Sequence, residues 1–221
     1  MKVCTDACIF GASIANIILN SESQISNCLD IGTGTGLLSL MIAQKTKVEI
    51  DAIEIEENAF NQAKENFLNS AWSQRLQAFH TDVKHFVSPL KYDFIISNPP
   101  FYQNDLVSRL KTKNIAKRNT SLNVDELIGV IKKLLNKTGS FAILLPYHRV
   151  AYFEKLADEH NFFLNEKVLI KPTSEHDYFR GVLVFNQTNK CFDVKKLIIK
   201  NEDGKYTDDF TQLMSEYYLA L

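Results

Sequence analysis

The chain has 221 residues, of which 45 % are hydrophobic and 23 % charged, and a formal net charge of −1. That length supports one domain with a sizeable core, and the near-zero charge excludes a global basic field, so nucleic acid has to be gripped by a local patch. No apolar run reaches the roughly 18 residues of a membrane span, and Asp6 interrupts the N-terminus before any signal-peptide core.

Cys4, Cys8, Cys28 and Cys191 have a spacing that fits neither a disulfide framework nor a zinc site. They read as reduced thiols in a cytoplasmic protein. His80, His85, His148, His160 and His176 do not cluster, and no metal site is expected.

In chain order, Asn27–Ile31 reads as a short apolar strand. Leu37, Leu40, Met41 and Ala43 carry helical spacing over Leu37–Thr46. Val48–Ile55 reads as a second strand, and Glu57–Asn69 as a helix with Ala59, Phe60, Ala63 and Phe67 on one face. Leu76–His80 is a third strand, Val83–Val87 a short helix or turn, and Tyr92–Ser97 a fourth strand. Val124–Leu135 is amphipathic, with Asn123 as its cap and Gly139 beyond its end. Ser140–Leu145 is a strand, His148–His160 a helix, and Phe162–Ile170 and Gly181–Phe185 are strands. A helical tail over Thr207–Leu221 follows Val194–Ile199. Strands separated by helical stretches argue for βαβ units and a parallel sheet. With no repeat and no Pro/Gly/Ser linker, residues 1–221 read as one domain.

Between the first strand and the first helix of this alternation lies Asp30-Ile31-Gly32-Thr33-Gly34-Thr35-Gly36. Glycines permit a tight turn and close ligand approach, and the helix N-terminus behind them favours an anionic group. The spacing Gly-x-Gly-x-Gly differs from the dinucleotide fingerprint Gly-x-Gly-x-x-Gly, which moves the expectation from NAD to S-adenosylmethionine. Glu54, 20 residues after Gly34, ends the second strand where an acid takes ribose hydroxyls. Glu56 and Glu57 suit the start of the next helix instead. Asp82 either accepts from an adenine amino group, with Val83 against the ring, or caps a helix.

The fourth strand runs into Asn98-Pro99-Pro100-Phe101. Two consecutive prolines cannot continue a sheet, since each lacks an N–H and has a fixed φ. The resulting rigid turn offers an amide, backbone carbonyls and an aromatic face, which together suit a flat, weakly nucleophilic amine.

Taken together, these segments resemble the class I S-adenosylmethionine-dependent methyltransferases, and among them the bacterial tRNA1(Val) adenine-37 N6-methyltransferase family. The resemblance rests on Lys2-Val3-x-Thr5-Asp6-Ala7 and Gly11-Ala12, on Cys28 through Leu38, on Asp51 through Glu56, on Phe94 through Tyr102, and on Tyr206 and Tyr217-Tyr218 in the tail. It implies a Rossmann-like fold: a mostly parallel seven-stranded sheet with one antiparallel strand and helices on both faces. It implies S-adenosylmethionine as cofactor and an adenine N6 as target, in tRNA and most specifically adenine 37. It places Thr5 and Asp6 near the methionine end of the cofactor, although Asp6 equally suits a cap for a helix starting near Ala7. It counts Asp30, Gly32, Gly34, Gly36, Glu54, Asp82, Val83 and Asn98 as cofactor contacts. Family members usually carry Gly at the Cys4 position, and usually have a strand pair ahead of the Lys-Val-x-Thr-Asp motif that Met1 abuts here, so either the true start lies upstream or that segment is absent or shortened.

In this reading Asn98 and the Pro99 carbonyl accept the two N6 hydrogens, Pro100 stiffens the turn, and Phe101 stacks on the base. Ser108–Arg118 contains Arg109, Lys111, Lys113, Lys117 and Arg118 and no acid, which is the expected grip on tRNA phosphates. Lys132, Lys133 and Lys137 read as a solvated helix face. A monomer is expected. The competing readings are rRNA guanine-N2 methylation, protein glutamine methylation, and a cofactor- or RNA-binding protein without appreciable turnover. An NAD oxidoreductase is opposed by the glycine spacing.

Overall fold

The computed structural model describes residues 4–21, 24–99, 122–188 and 192–220. Strands and helices alternate as β1 (Asn27–Ile31), α2 (Leu37–Lys45), β2 (Glu49–Glu54), α3 (Glu57–Leu68), β3 (Leu76–His80) and β4 (Tyr92–Ser97). Helix α1 (Thr5–Leu19) precedes them. Beyond them come α4 (Val124–Leu134), β5 (Leu135–Pro146), α5 (Val150–Glu159), β6 (Phe163–Lys171), β7 (Arg180–Asn186), β8 (Asp193–Ile198) and α6 (Asp208–Met214).

The strands form one sheet in the order β3-β2-β1-β4-β5-β7-β6-β8. All neighbours run parallel except β7, which is antiparallel to both β5 and β6. The single antiparallel strand is as expected. An eighth strand, β8, joins the seven by pairing parallel to β6 from Glu166↔Asp193 to Lys171↔Ile198. Its side chains are exposed at the first four positions, so it carries the weak apolar signal of an edge strand.

Both faces of the sheet are covered. Successive side chains point to opposite sides, so Cys28, Ile50, Phe94 and Ile96 pack with α1, α2, α3 and α6 around Phe10, Met41, Phe67 and Phe210. Leu29, Ile31, Ile53 and Ile95 pack with α4 and α5 around Leu127, Ile131 and Phe153. This is why the central strands read as continuous apolar runs rather than as alternation. Phe141 anchors the second layer, with Phe162 and Phe185 each 5.0 Å away between ring centroids.

Two boundaries differ from expectation by more than two residues. β5 starts at Leu135, directly where α4 ends, because Leu135 pairs with Tyr92 before a register shift leads to Phe94↔Ser140. The helical tail stops at Met214 and continues as turns. The Asn123 cap is present as a full capping box: its side chain accepts from Glu126 N, and Glu126 accepts from Asn123 N. Such a cap contributes about 1 kcal/mol.

Candidate active site

The register brings the strand ends to one level. Ile31 pairs with Ile53 on one side and Ser97 on the other, Ile53 pairs with Phe79, and Ser97 pairs with Ile143. The residues that follow, Gly32, Glu54 and Asn98, therefore emerge along one carboxyl edge. The chain leaves β1 towards β2 on one side while β4 lies on the other. A crevice opens at such a switch point, and ligands of open α/β sheets bind there.

The glycine loop is braced from β2 and α3. Gly32 N and Thr33 N donate to the Ile53 carbonyl over 2.9 and 3.0 Å, and Gly34 N donates to Glu54 Oε2 over 2.8 Å. Asn66 Nδ2 holds the Thr35 carbonyl at 2.8 Å. Gly32, Gly34 and Gly36 all take positive φ, at 74°, 60° and 84°. At Gly36 a side chain is doubly excluded, because an added Cβ would stand 2.5 Å from Phe67 Cε1.

Asp30 is fully buried beneath this loop. Its Oδ2 accepts from Thr33 Oγ1 and Ser39 Oγ, each at 2.7 Å, while Oδ1 is buried without a hydrogen-bond partner. Burial raises its pKa to about 6, against the lowering effect of the Thr33 and Ser39 hydroxyls. Glu54, also buried, accepts at Oε1 from Ile55 N and Glu56 N, each at 2.9 Å. Glu56 caps α3 by accepting from Asn58 N and Ala59 N, which bears out its separation from Glu54.

Asp82 caps a short 3₁₀ turn, accepting from Lys84 N at 2.9 Å, and its other oxygen lies 3.6 Å from Lys84 Nζ. The cap is thus present, and the carboxylate stands at the same edge, after β3. Val83 is buried among Leu29, Ile31 and Ile53. Ile55, 47 % exposed immediately after Glu54, is an apolar surface that the pattern of residue types does not single out. Only the loss of burial at a strand end reveals it.

Thr5 opens α1. Cys4 precedes it in extended conformation with φ −109°, so nothing there demands glycine. Asp6 does two things: Oδ1 accepts from Ala7 N at 2.9 Å, and Oδ2 accepts from Arg180 Nε at 2.7 Å. Arg180 carries no local sequence signal for this role. Ser97 Oγ donates to the Ile31 carbonyl over 2.9 Å and ties β4 to β1 just before Asn98. Asn98 and Pro99 are half-buried. Pro100, Phe101, Arg109, Lys111, Lys113, Lys117 and Arg118 lie outside the described residues. Lys132, Lys133 and Lys137 are exposed, as expected of a solvated face.

Among the described residues no group of three His, Cys, Asp or Glu side chains is placed to hold a metal ion, and no helix is long and apolar enough to cross a membrane. The donor set instead fits a sulfonium nucleoside that carries an amino acid. Asp30 Oδ1 is an unsatisfied buried acceptor below the loop, Glu54 stands at the end of β2, and the exposed Ile55 is an apolar surface beside it.

The fold and this edge define a class I methyltransferase. The solved structures agree on the fold: a predicted O-methyltransferase from Agrobacterium tumefaciens superposes with a TM-score of 0.72 at 17 % identity, covering 95 % of both chains. TrmN from Thermus thermophilus gives 0.55 at 20 % identity over 80 % of this chain and 48 % of that one. The family model described as the methyltransferase small domain matches residues 10–161. A protein of Dyadobacter fermentans named tRNA1(Val) (adenine(37)-N6)-methyltransferase is 40 % identical over 99 % of this chain and 91 % of its own length. A protein of the same name from Pseudoalteromonas translucida is 33 % identical over 100 % of this chain and 96 % of its own. The chain belongs to the tRNA1(Val) (adenine(37)-N6)-methyltransferase family within the methyltransferase small-domain proteins.

Proposed function

We propose that this chain methylates N6 of adenine 37 in the anticodon loop of tRNA1(Val), as a cytoplasmic monomer whose residues 1–221 form one domain. Its family makes it an S-adenosylmethionine-dependent tRNA adenine-N6 methyltransferase. The observation that carries the reading is the register that puts Asn98 and the Gly32–Gly36 loop side by side across β4 and β1.

The cofactor's sulfonium supplies an electrophilic methyl group. The chain's task is to present the amine. Adenine N6 is a poor nucleophile because its lone pair is delocalised into the ring. Acceptance of its hydrogens by Asn98 Oδ1 and the Pro99 carbonyl orients that lone pair and supports the positive charge developing on nitrogen. No strong base is needed before attack, because the proton becomes acidic only as the new N–C bond forms. Alignment of the two reactants accounts for much of the rate. Phe101 stacks on the base, with Pro100 fixing the turn between them. Gly32, Gly34 and Gly36 admit the amino-acid end close to backbone, with Thr5, Asp6 and Asp30 around it. Glu54 takes the ribose, and Asp82, Val83 and Ile55 hold the adenine of the cofactor. Arg109, Lys111, Lys113, Lys117 and Arg118 take tRNA phosphates. An anticodon-loop base is already partly unstacked, so drawing it into the site costs less than from a duplex.

The test is nucleoside mass spectrometry of tRNA1(Val) transcript after incubation with the full chain and S-adenosylmethionine. N6-methyladenosine is expected, and is expected to vanish with a transcript carrying guanine at position 37. Methylation of guanine N2, or none in a protein that binds the cofactor, overturns the reading.

A further inference from the structure

The same carboxyl edge continues past the catalytic strand as a row of tyrosines and lysines that the reaction chemistry leaves unused. Ser97 is level with Ile143, so Asn98 is level with Leu144, and Tyr147, which opens the 3₁₀ turn just past the end of β5 at Pro146, stands three residues further, about 10 Å on. Tyr147 N donates to the Phe179 carbonyl over 3.0 Å, which brings its ring, 41 % exposed, to 5.2 Å from the half-buried ring of Tyr178. Lys171 Nζ lies 4.8 Å from the centroid of Tyr178. Two residues past the end of the neighbouring β8, Lys200 N donates to the Pro172 carbonyl over 3.0 Å, and Lys200 Nζ lies 5.4 Å from the Tyr206 ring, 37 % exposed. Among the described residues neither ammonium pairs with a carboxylate. Glu175 and Asp177, on the exposed turn between Lys171 and Tyr178, pair with neither of them.

Two lysines each seated on a tyrosine face and lacking a counter-ion are suited to phosphates. The aromatic faces beside them are suited to bases. This combination tracks single-stranded nucleic acid, because every base has a π-face and every nucleotide a charge. A protein partner is less well matched, because protein interfaces are depleted in lysine. The row begins about 10 Å from Asn98, which is one to two nucleotides of an extended strand.

We propose that the row Tyr147–Tyr178–Lys171–Lys200–Tyr206 is where the single-stranded anticodon loop lies, with Tyr147 and Tyr178 stacking a base next to the target adenine and Lys171 and Lys200 holding phosphates. The proposal rests on tRNA being the substrate.

The experiment measures binding of a tRNA1(Val) anticodon stem-loop to the full chain across a salt series, with cofactor affinity measured in parallel by calorimetry. Tyr147→Ala and Tyr178→Ala should each weaken stem-loop binding by on the order of tenfold, and Tyr178→Phe should restore it. Lys171→Gln with Lys200→Gln should lower the log–log salt slope by roughly 1 to 2. All variants should keep wild-type cofactor affinity, which shows that they fold. Variants that bind the stem-loop with unchanged affinity and salt slope, against a wild type that binds and methylates it, overturn the row alone. A wild type that binds no stem-loop overturns the substrate reading and the row with it.

Discussion

Arg180, the first residue of β7, donates from Nε to Asp6 in the first turn of α1 across 2.7 Å, and so moors the start of the N-terminal helix to the edge that carries Asn98. The Tyr218 hydroxyl hydrogen-bonds with the side chains of Thr5 and Cys8. The first turn of α1 is thus gripped by two elements remote in sequence.

Replacing Arg180 with Ala should release that turn. The ion pair is partly exposed, with side-chain exposures of 33 % and 16 %, so global stability should fall by no more than about 1 kcal/mol. Cofactor affinity should fall further, on the order of tenfold, and Arg180→Lys should recover only part of it because a lysine cannot match the planar donor. Urea melts beside calorimetric titration with S-adenosylmethionine separate the two effects. Equal affinity in wild type and Arg180→Ala would remove the first turn of α1 from the cofactor site.

The glycine loop makes a second prediction with its own control. Gly36 and Gly204 share a positive φ, 84° and 76°, but a Cβ at Gly36 meets Phe67 at 2.5 Å while one at Gly204 meets nothing within 4 Å. Gly204→Ala should cost about 1–2 kcal/mol of unfolding free energy, the strain of a left-handed residue. Gly36→Ala should cost that plus about 1–3 kcal/mol for overpacking against α3. Paired denaturant melts measure the difference, and identical losses would mean that Phe67 swings aside freely.

How much of the fold and of the site is legible in the order of amino acids depends on how local the signal is. Asn27–Ile31, Leu76–His80 and Tyr92–Ser97 agree with expectation to the residue, because polar residues, glycines or prolines bound each apolar stretch. Gly34 and Glu54 can be paired from spacing alone, since one βα unit returns the chain by about 20 residues. β8 escapes such reading because an edge strand is half solvated and its pairing to β6 is non-local. The Arg180–Asp6 contact escapes it altogether: the partners are 174 residues apart, and no period or motif connects them.

The buried Asp30 predicts a pH dependence. Its folded pKa lies near 6 against an ordinary 3.8, so between those values the folded state binds more protons than the unfolded one. Stability therefore falls as pH rises through that window, by on the order of 3 kcal/mol from this group alone. Below about pH 4 the carboxyl is neutral in both states and the penalty is absent. Asp30→Asn should consequently flatten the decline in Tm between pH 4 and 7 in cofactor-free protein. It should also weaken cofactor binding at neutral pH by leaving no negative charge beneath the loop. A variant whose Tm tracks wild type across the window would show that Asp30 is not protonated there.

Asn98 provides the most direct test of how the amine is presented. Its oxygen is the acceptor supplied by a side chain rather than by backbone, so Asn98→Ala removes one hydrogen bond that strengthens as charge develops on N6. Loss of one such preorganised partner lowers kcat on the order of 10²–10³-fold. Asn98→Asp keeps an acceptor of the same reach and should retain more activity than Asn98→Ala. Because the Gly32–Gly36 loop is braced by Ile53, Glu54 and Asn66, cofactor affinity should change only a few-fold in either variant. Single-turnover methylation of tRNA under saturating cofactor, with calorimetry alongside, measures both quantities. Unchanged turnover in Asn98→Ala would leave the Pro99 carbonyl as the sole acceptor and end the proposed role of the side chain.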